Sequence, residues 1–413
     1  MVIRNWGTMW REWRDLDILL ILFTIALTTI GSMAIFSTEL NPDSSQWWWH
    51  LTIGGIGTTI ALAIARTSYD QLLYYHWFTY ALTNFSLILV LFVGRIESGA
   101  QSWIPIFGVN VQPSEFAKVG VIITLAAILH DRPIQQPLDI VKVLSVTILP
   151  WVLIFIQPDL GTALVFAAIC LGMLYWGGAN LGWLVLMGSP LISIILFNIY
   201  IPLWLGWVGL MAVIAWKTLP WLRLISAIAA IVINLVSAEI GHLLWGLLQD
   251  YQKLRITLFL DPSQDPLGGG YHLIQSRIAI GSGSLWGKGF LQGTQTQLHF
   301  IPEQHTDFIF SAIGEEWGFM GSIFILLIFL GICWRLLAIA SESRDNFGSL
   351  LAIGVFSMIL FQTIVNIGMT VGVAPITGIP LPWLSYGRSA LLTNFIAIGL
   401  VESVALHRRT IKF

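Results

Sequence analysis

Twelve times along the chain an apolar run close to bilayer thickness is followed by a polar break, and that alternation leaves few folds open. A crossing helix needs roughly 20 apolar residues, with roughly 17 tolerable. In hydrocarbon every backbone polar group must be paired within the protein, so such runs are helices. They fall near 17–36, 49–65, 75–93, 114–129, 140–156, 160–177, 182–200, 202–216, 221–247, 307–330, 349–370 and 389–406. Pro202 and Pro220 punctuate a stretch that could hold one broken helix or two spans. Charge supports the reading: Lys+Arg 20 and Asp+Glu 22 make 10% of the chain, against about 25% in an average soluble domain. The expectation is an all-α polytopic membrane protein, residues 1–413 forming one bundle of about 10–12 transmembrane helices. A net charge of −2 offers no basic surface for nucleic acid. Cys170 and Cys333 lie inside apolar runs, which indicates neither a disulfide framework nor a cysteine metal site.

The first run follows Arg4, Arg11 and Arg14 and carries no small-residue cleavage pattern, so it reads as a retained helix. Twelve spans put both termini on one side. With the termini inside, 13 Lys and Arg fall inside, six outside (Arg95, Lys253, Arg255, Arg277, Lys288, Arg388) and one, Lys118, within a span. The positive-inside rule therefore predicts cytoplasmic termini. It also leaves 248–306 as a large extracytoplasmic loop. Polar residues gather at 95–118, 157–162, 249–307 and 375–388, all at the outer face in this topology.

Ionisable groups in or beside spans are costly and need a reason. In Gln112-Pro113-Ser114-Glu115-Phe116-Ala117-Lys118, Glu115 and Lys118 share a helix face and could neutralise each other, or line a polar cavity open to an anion. Asp159, in Gln157-Pro158-Asp159-Leu160-Gly161-Thr162, could cap the next helix or serve the same cavity. Asp307 directly precedes an apolar run and follows Glu303 and His305, a cluster that capping does not explain. No zinc spacing accompanies it. Glu315 and Glu316 lie deeper in the same run and could face the cavity or a neighbouring helix. Gly268–Gly270 and the run Gly281-Ser282-Gly283-Ser284-Leu285-Trp286-Gly287-Lys288-Gly289 fail as a nucleotide loop, because Lys288 is followed by Gly289 on the outer side of a membrane. They suit turns in re-entrant or interfacial segments, whose amides could cradle a lipid-linked phosphate. Residues 271–280 read as a short amphipathic helix carrying Arg277 near the headgroups. An outward polar cavity with a carboxylate and cations fits an enzyme acting on a lipid-linked anion, a transporter or a scaffold. The matching halves of broken helices expected of a transporter are not evident.

The stretch Leu260–Gly318, with Asp-Pro-Leu-Gly-Gly-Gly-Tyr-His-Leu-Ile-Gln-Ser, Gly-Lys-Gly, Gly-Thr-Gln and Pro-Glu-Gln-His-Thr-Asp-Phe-Ile-Phe, closely resembles the SEDS (shape, elongation, division and sporulation) family. Gln112–Lys118, Gln157–Thr162 and Pro380–Ser389 match further motifs, so the resemblance covers nearly the whole chain. Gly287–Gly289 and Gly293–Gln295 favour its elongation branch over its division branch.

The resemblance implies a peptidoglycan glycosyltransferase that polymerises lipid II at the outer face of the bacterial cytoplasmic membrane. Its expected partners are a class B penicillin-binding transpeptidase and other elongation-complex membrane proteins. A lipid II flippase and a non-catalytic scaffold for the transpeptidase are the alternatives. Asp307 matches the essential aspartate and is the candidate general base; Glu115, Lys118 and Asp159 match other important positions. Lys118, Arg255, Arg277 and Arg388 are candidate diphosphate partners, with Lys288, Glu303 and His305 as further substrate contacts; a divalent cation could share the role. Three departures stand out. Residues 178–248 hold three apparent spans where one is expected, Ser102 and Asn110 replace frequent arginines, and Arg388 replaces a glycine.

Overall fold

The computed structural model describes residues 16–39, 46–97, 100–106, 109–130, 134–219, 223–247, 265, 270–298 and 300–407. The long helices are α1 (Ile18–Thr38), α2 (Gln46–Ala65), α3 (Asp70–Val93), α4 (Pro113–His130), α5 (Pro137–Ile156), α6 (Leu160–Trp176), α7 (Leu181–Ile199), α8 (Ile201–Thr218) and α9 (Arg223–Leu247). After the short helices α10 (Tyr271–Ser282) and α11 (Thr294–Gln297) come α12 (Ile309–Ser341), α13 (Asn346–Val371) and α14 (Arg388–Leu406). Eleven are long and apolar enough to cross a membrane, and the shorter α6 makes a twelfth apolar helix. Every apolar run of the sequence is thus a helix, and the stretch punctuated by Pro202 and Pro220 holds two, α8 and α9. This is a multi-pass membrane protein.

Two features depart from an uninterrupted all-helical reading. Between α3 and α4 the chain forms a small antiparallel sheet, β1 (Arg95–Glu97), β2 (Ala100–Ile106) and β3 (Val109–Val111), with Ile104 opposite Val111 and Ile106 opposite Val109. The signal was the alternation of β-branched and polar residues in Val109-Asn110-Val111. The second is a break inside α12 at Gly318, whose φ of +67° and ψ of −162° are closed to an L side chain.

The chain divides into two compact units. The first comprises Met1–Arg132, Val143–Met173 and Leu258–Phe413; the second comprises Pro133–Lys142 and Leu174–Thr257. In the second, α7, α8 and α9 pack around Trp204, Val208 and Ala238. A polar ladder crosses that apolar contact: Trp204 Nε1 donates to Ser193 Oγ (2.7 Å), Ser193 Oγ to Asn234 O (2.9 Å), and Asn234 Nδ2 to Ser189 Oγ (3.2 Å). Such bonds hold helices together where the hydrophobic effect cannot drive association.

In the first unit α4 and α14 are the innermost helices, each with 83% of its apolar window buried, so their polar residues face protein rather than lipid. One end of this unit is closed by ion pairs. Asp17 caps α1 at Leu20 N and accepts from Arg335 of α12, while its own N–H donates to Glu402 Oε2 of α14 (3.0 Å). Beside it Tyr69 OH donates to Asp345 Oδ2 (2.7 Å), whose other oxygen caps α13 at Gly348 N. The polar motifs gather at the opposite end.

Candidate active site

Asp307 closes a turn built on Glu303. That residue, at φ +51°, accepts at its carbonyl from Thr306 N and Phe308 N. Phe308 then buries itself with Ala279 of α10 and Ile301, fixing the turn on the bundle. Asp307 itself is half-buried, and a Cβ placed on Gly378 would lie 3.7 Å from its Oδ2. The Asp307 carboxylate therefore stands against the segment 377–379. The other side of that segment meets the start of α6, where a Cβ on Gly161 would lie 2.3 Å from Thr377 O.

Asp159 stands at that same helix start. Its Oδ1 accepts from Thr162 N (3.0 Å) and its Oδ2 from Thr162 Oγ1 (2.8 Å), the geometry of an N-cap. Oδ2 also accepts from Gln112 Nε2 (3.1 Å), and Gln112 N donates to Ser389 Oγ (3.0 Å). Three motifs separated in sequence thereby converge. One turn into α4, Lys118 Nζ lies 2.7 Å from Glu115 Oε2, with both side chains almost fully buried. The neutralised pair is what the structure shows at these two positions.

Arg388, the first residue of α14, is half-buried. Its Nε donates to Tyr386 OH (2.9 Å) and its guanidinium lies 5.4 Å from the Trp49 ring centroid and 5.9 Å from that of Tyr386. Among the described residues no carboxylate pairs with it. Tyr386 N donates to His305 O (2.8 Å), so this cation is tied to the Asp307 turn through one residue. Burial holds the His305 imidazole below its ordinary 6.5, with Glu303 and Glu39 pulling it up in part. His272, stacked on Phe308 at 6.1 Å, is lowered by burial as well.

Lys288 pairs with a carboxylate of α12. Its Nζ is 2.7 Å from Glu315 Oε1, and the fully buried Glu315 carboxylate also accepts from Gln295 N, Thr296 N and Thr296 Oγ1 at 2.8 to 2.9 Å. The Gly-Lys-Gly and Gly-Thr-Gln motifs wrap this carboxylate. They also mend the break in α12: Lys288 N and Gly289 N donate to Glu315 O and Glu316 O, while Phe319 N and Met320 N donate to Ser284 O and Leu285 O. Those are the backbone groups that the turn at Gly318 leaves without helical partners. Gly287, at φ +79°, admits the close approach, since a Cβ there would meet Glu316 O at 2.0 Å. Glu316 accepts from Ser37 Oγ of α1.

Arg277 lies on α10 as expected, its aliphatic stem over Gly372 at the C-terminal end of α13. There its charge meets the negative end of a helix dipole. Arg255 lies outside the described residues, as does most of 248–269. Among the described residues no group of three His, Cys, Asp or Glu is placed to hold a metal ion. The structure thus brings Asp307, Glu303, His305 and Arg388 into one neighbourhood and joins Asp159 to it through segment 377–379. Lys118 and Lys288 each have a carboxylate partner of their own. Sequence reasoning missed Asn366, Trp49, Tyr386 and Gly378; an amide inside the apolar run 349–370 was the available signal for Asn366.

A half-buried carboxylate at one end of a bundle of membrane-spanning helices, with an aromatic-bound arginine beside it, defines an integral membrane protein with a polar site at its rim. Residues 14–208 and 202–410 match the profile of the FtsW/RodA/SpoVE cell cycle proteins, and the chain belongs to that family. It is 37% identical to the peptidoglycan glycosyltransferase RodA of Treponema pallidum over 94% of this chain and 97% of that one. Identity to the peptidoglycan glycosyltransferase MrdB of Escherichia coli K12 is 34% over 98% and 97%. Among solved structures it resembles a chain of a peptidoglycan synthase complex for polymerization and crosslinking, with a TM-score of 0.70 and 27% identity over 95% of this chain and 98% of that one. A mutant of the Thermus thermophilus rod shape determining protein RodA gives 0.64 and 25%, over 96% and 99%.

Proposed function

We propose that this chain is the peptidoglycan glycosyltransferase of cell elongation, polymerising lipid II at the outer face of the cytoplasmic membrane with Asp307 as general base. The family membership and the relatives named as peptidoglycan glycosyltransferases support the reaction. The observation that carries the residue assignment is the placement of the Asp307 carboxylate against Gly378, at the bundle end where Arg388 has no carboxylate partner among the described residues. The positive-inside count supports cytoplasmic termini, which puts the Asp307 end outside. In the reaction, the 4-hydroxyl of one lipid-linked disaccharide gives its proton to Asp307 as its oxygen bonds to the anomeric carbon of another. The bond to undecaprenyl pyrophosphate breaks on the opposite face, so the α-linked donor becomes a β-1,4 link. The departing diphosphate needs positive charge. Arg388 is the first choice, because Lys118 and Lys288 are already neutralised by Glu115 and Glu315. Arg277 remains for the diphosphate's outer oxygens, and Glu303 and His305 for the sugar hydroxyls. Glu115, Lys118 and Asp159 hold the floor of the site. Residues 178–248 hold three spans where a ten-span plan has one, an insertion of two, and 248–306 is the extracytoplasmic loop. A class B penicillin-binding transpeptidase is the partner, in keeping with the likeness to a synthase complex.

Proteoliposomes holding the protein, its transpeptidase and labelled lipid II test this reading. Glycan strands are the expected product. Movement of lipid II between leaflets without polymer would overturn it in favour of a transporter.

A further inference from the structure

One side chain of α13 reaches the turn that carries Asp307. Asn366 is fully buried, and its single Nδ2 donates one proton to Asp307 O (3.0 Å) and the other to Ile379 O (2.8 Å). The amide cannot be turned over, because Oδ1 in place of Nδ2 would face two carbonyl oxygens. The same nitrogen therefore ties the main chain of Asp307 to the segment 377–379, whose Gly378 faces the Asp307 carboxylate. No other neutral side chain of this size offers two protons from one atom: serine and threonine supply one, and aspartate at neutral pH supplies none. An apolar residue would remove both of these donors.

We propose that Asn366 is a positioning residue for glycosyl transfer, acting through Asp307 by fixing where its main chain, and so its carboxylate, stands against Gly378. The inference rests on Asp307 as the base. A base must sit within hydrogen-bond reach of the attacking hydroxyl, and a displacement of about 1 Å can cost on the order of 10²-fold in rate. Because Asn366 touches no substrate in this scheme, its loss lowers turnover and leaves the affinity for lipid II in place.

The test uses the full-length protein reconstituted with its transpeptidase and lipid II, with kcat and KM measured per folded enzyme. Asn366→Asp is near-isosteric and removes both donors; Asn366→Ser keeps one and serves as the milder variant if the first fails to fold. Each is also combined with Asp307→Asn. The expected result is a kcat about 10²-fold down for Asn366→Asp and less for Asn366→Ser, with KM changed by less than about threefold. In the Asp307→Asn background the Asn366 substitutions should cost nothing further, because the group they position is gone. Wild-type kcat in both Asn366 variants, a parallel rise in KM, or a full additional loss on top of Asp307→Asn would overturn the inference. Full activity of Asp307→Asn alone would instead overturn the base assignment beneath it.

Discussion

Gly378 stands against the Asp307 carboxylate, and its φ of +71° makes the approach dependent on glycine. A methyl at this position would be only in ordinary contact with Oδ2, 3.7 Å away, so the backbone rather than a clash decides the outcome. An L residue in that conformation costs about 1–2 kcal/mol. If the strain relaxes by moving segment 377–379, the carboxylate loses its wall. Gly378→Ala is therefore expected to fold and to turn over lipid II about tenfold more slowly, since about 1.4 kcal/mol on the barrier is tenfold in rate. Steady-state polymerisation checks it.

The Lys288–Glu315 pair is asymmetric in its consequences. Removing the Glu315 carboxylate strands two main-chain amides and a threonine hydroxyl in a buried place, each worth about 1–3 kcal/mol when left without an acceptor. Removing Lys288, whose side chain is 27% exposed, leaves Glu315 with those same donors. Glu315→Ala should lower the unfolding temperature in detergent markedly and Lys288→Met only slightly. Equal losses would contradict the view that the glycine motifs serve the carboxylate.

Arg388 is expected to act on substrate affinity. Arg388→Ala should raise KM for lipid II several-fold, and Arg388→Lys should recover only part, because an ammonium cannot lie flat on Trp49 and Tyr386 while reaching a diphosphate. Steady-state kinetics at two salt concentrations separates this from a loss of fold. An unchanged KM in both variants would remove Arg388 from the substrate site.

The histidines of the Asp307 turn give a pH dependence of defined sign. Burial lowers both His305 and His272 below 6.5, so the folded protein resists protons that the unfolded chain accepts. Their contribution to stability is present above about 6.5 and is lost as the pH falls toward the lowered folded values. Unfolding temperature should drop between pH 7.5 and 5.5, and less steeply in a His272→Phe, His305→Gln double variant. Parallel slopes would refute it.

The helices were legible in the sequence because hydropathy alone decides what can lie in a bilayer. The run at 114–129 is α4, Pro113–His130, and the run at 349–370 is α13, Asn346–Val371. α12 extends to Ser341, well past the run ending at 330, because Arg335 finds Asp17 at the start of α1, a partner hydropathy does not see. The break at Gly318 was hidden for the same reason: its free amides and carbonyls are met by a loop some thirty residues earlier in the chain. Asp307 stood out because a carboxylate beside a span needs a reason. The Lys118–Glu115 pair was one of two readings their shared helix face left open, whereas the pairing of Lys288 with Glu315 was not legible, because the two lie 27 residues apart and only the fold brings them together.

In the proposed reaction Asp307 accepts the proton of the attacking hydroxyl. General-base catalysis contributes about 10²–10⁴-fold. The most direct measurement compares glycan strands made from lipid II by wild type and Asp307→Asn, reconstituted with the transpeptidase and matched for folded protein. A loss of at least about 10²-fold with the complex intact is the predicted result; strands made by the variant at the wild-type rate would contradict it.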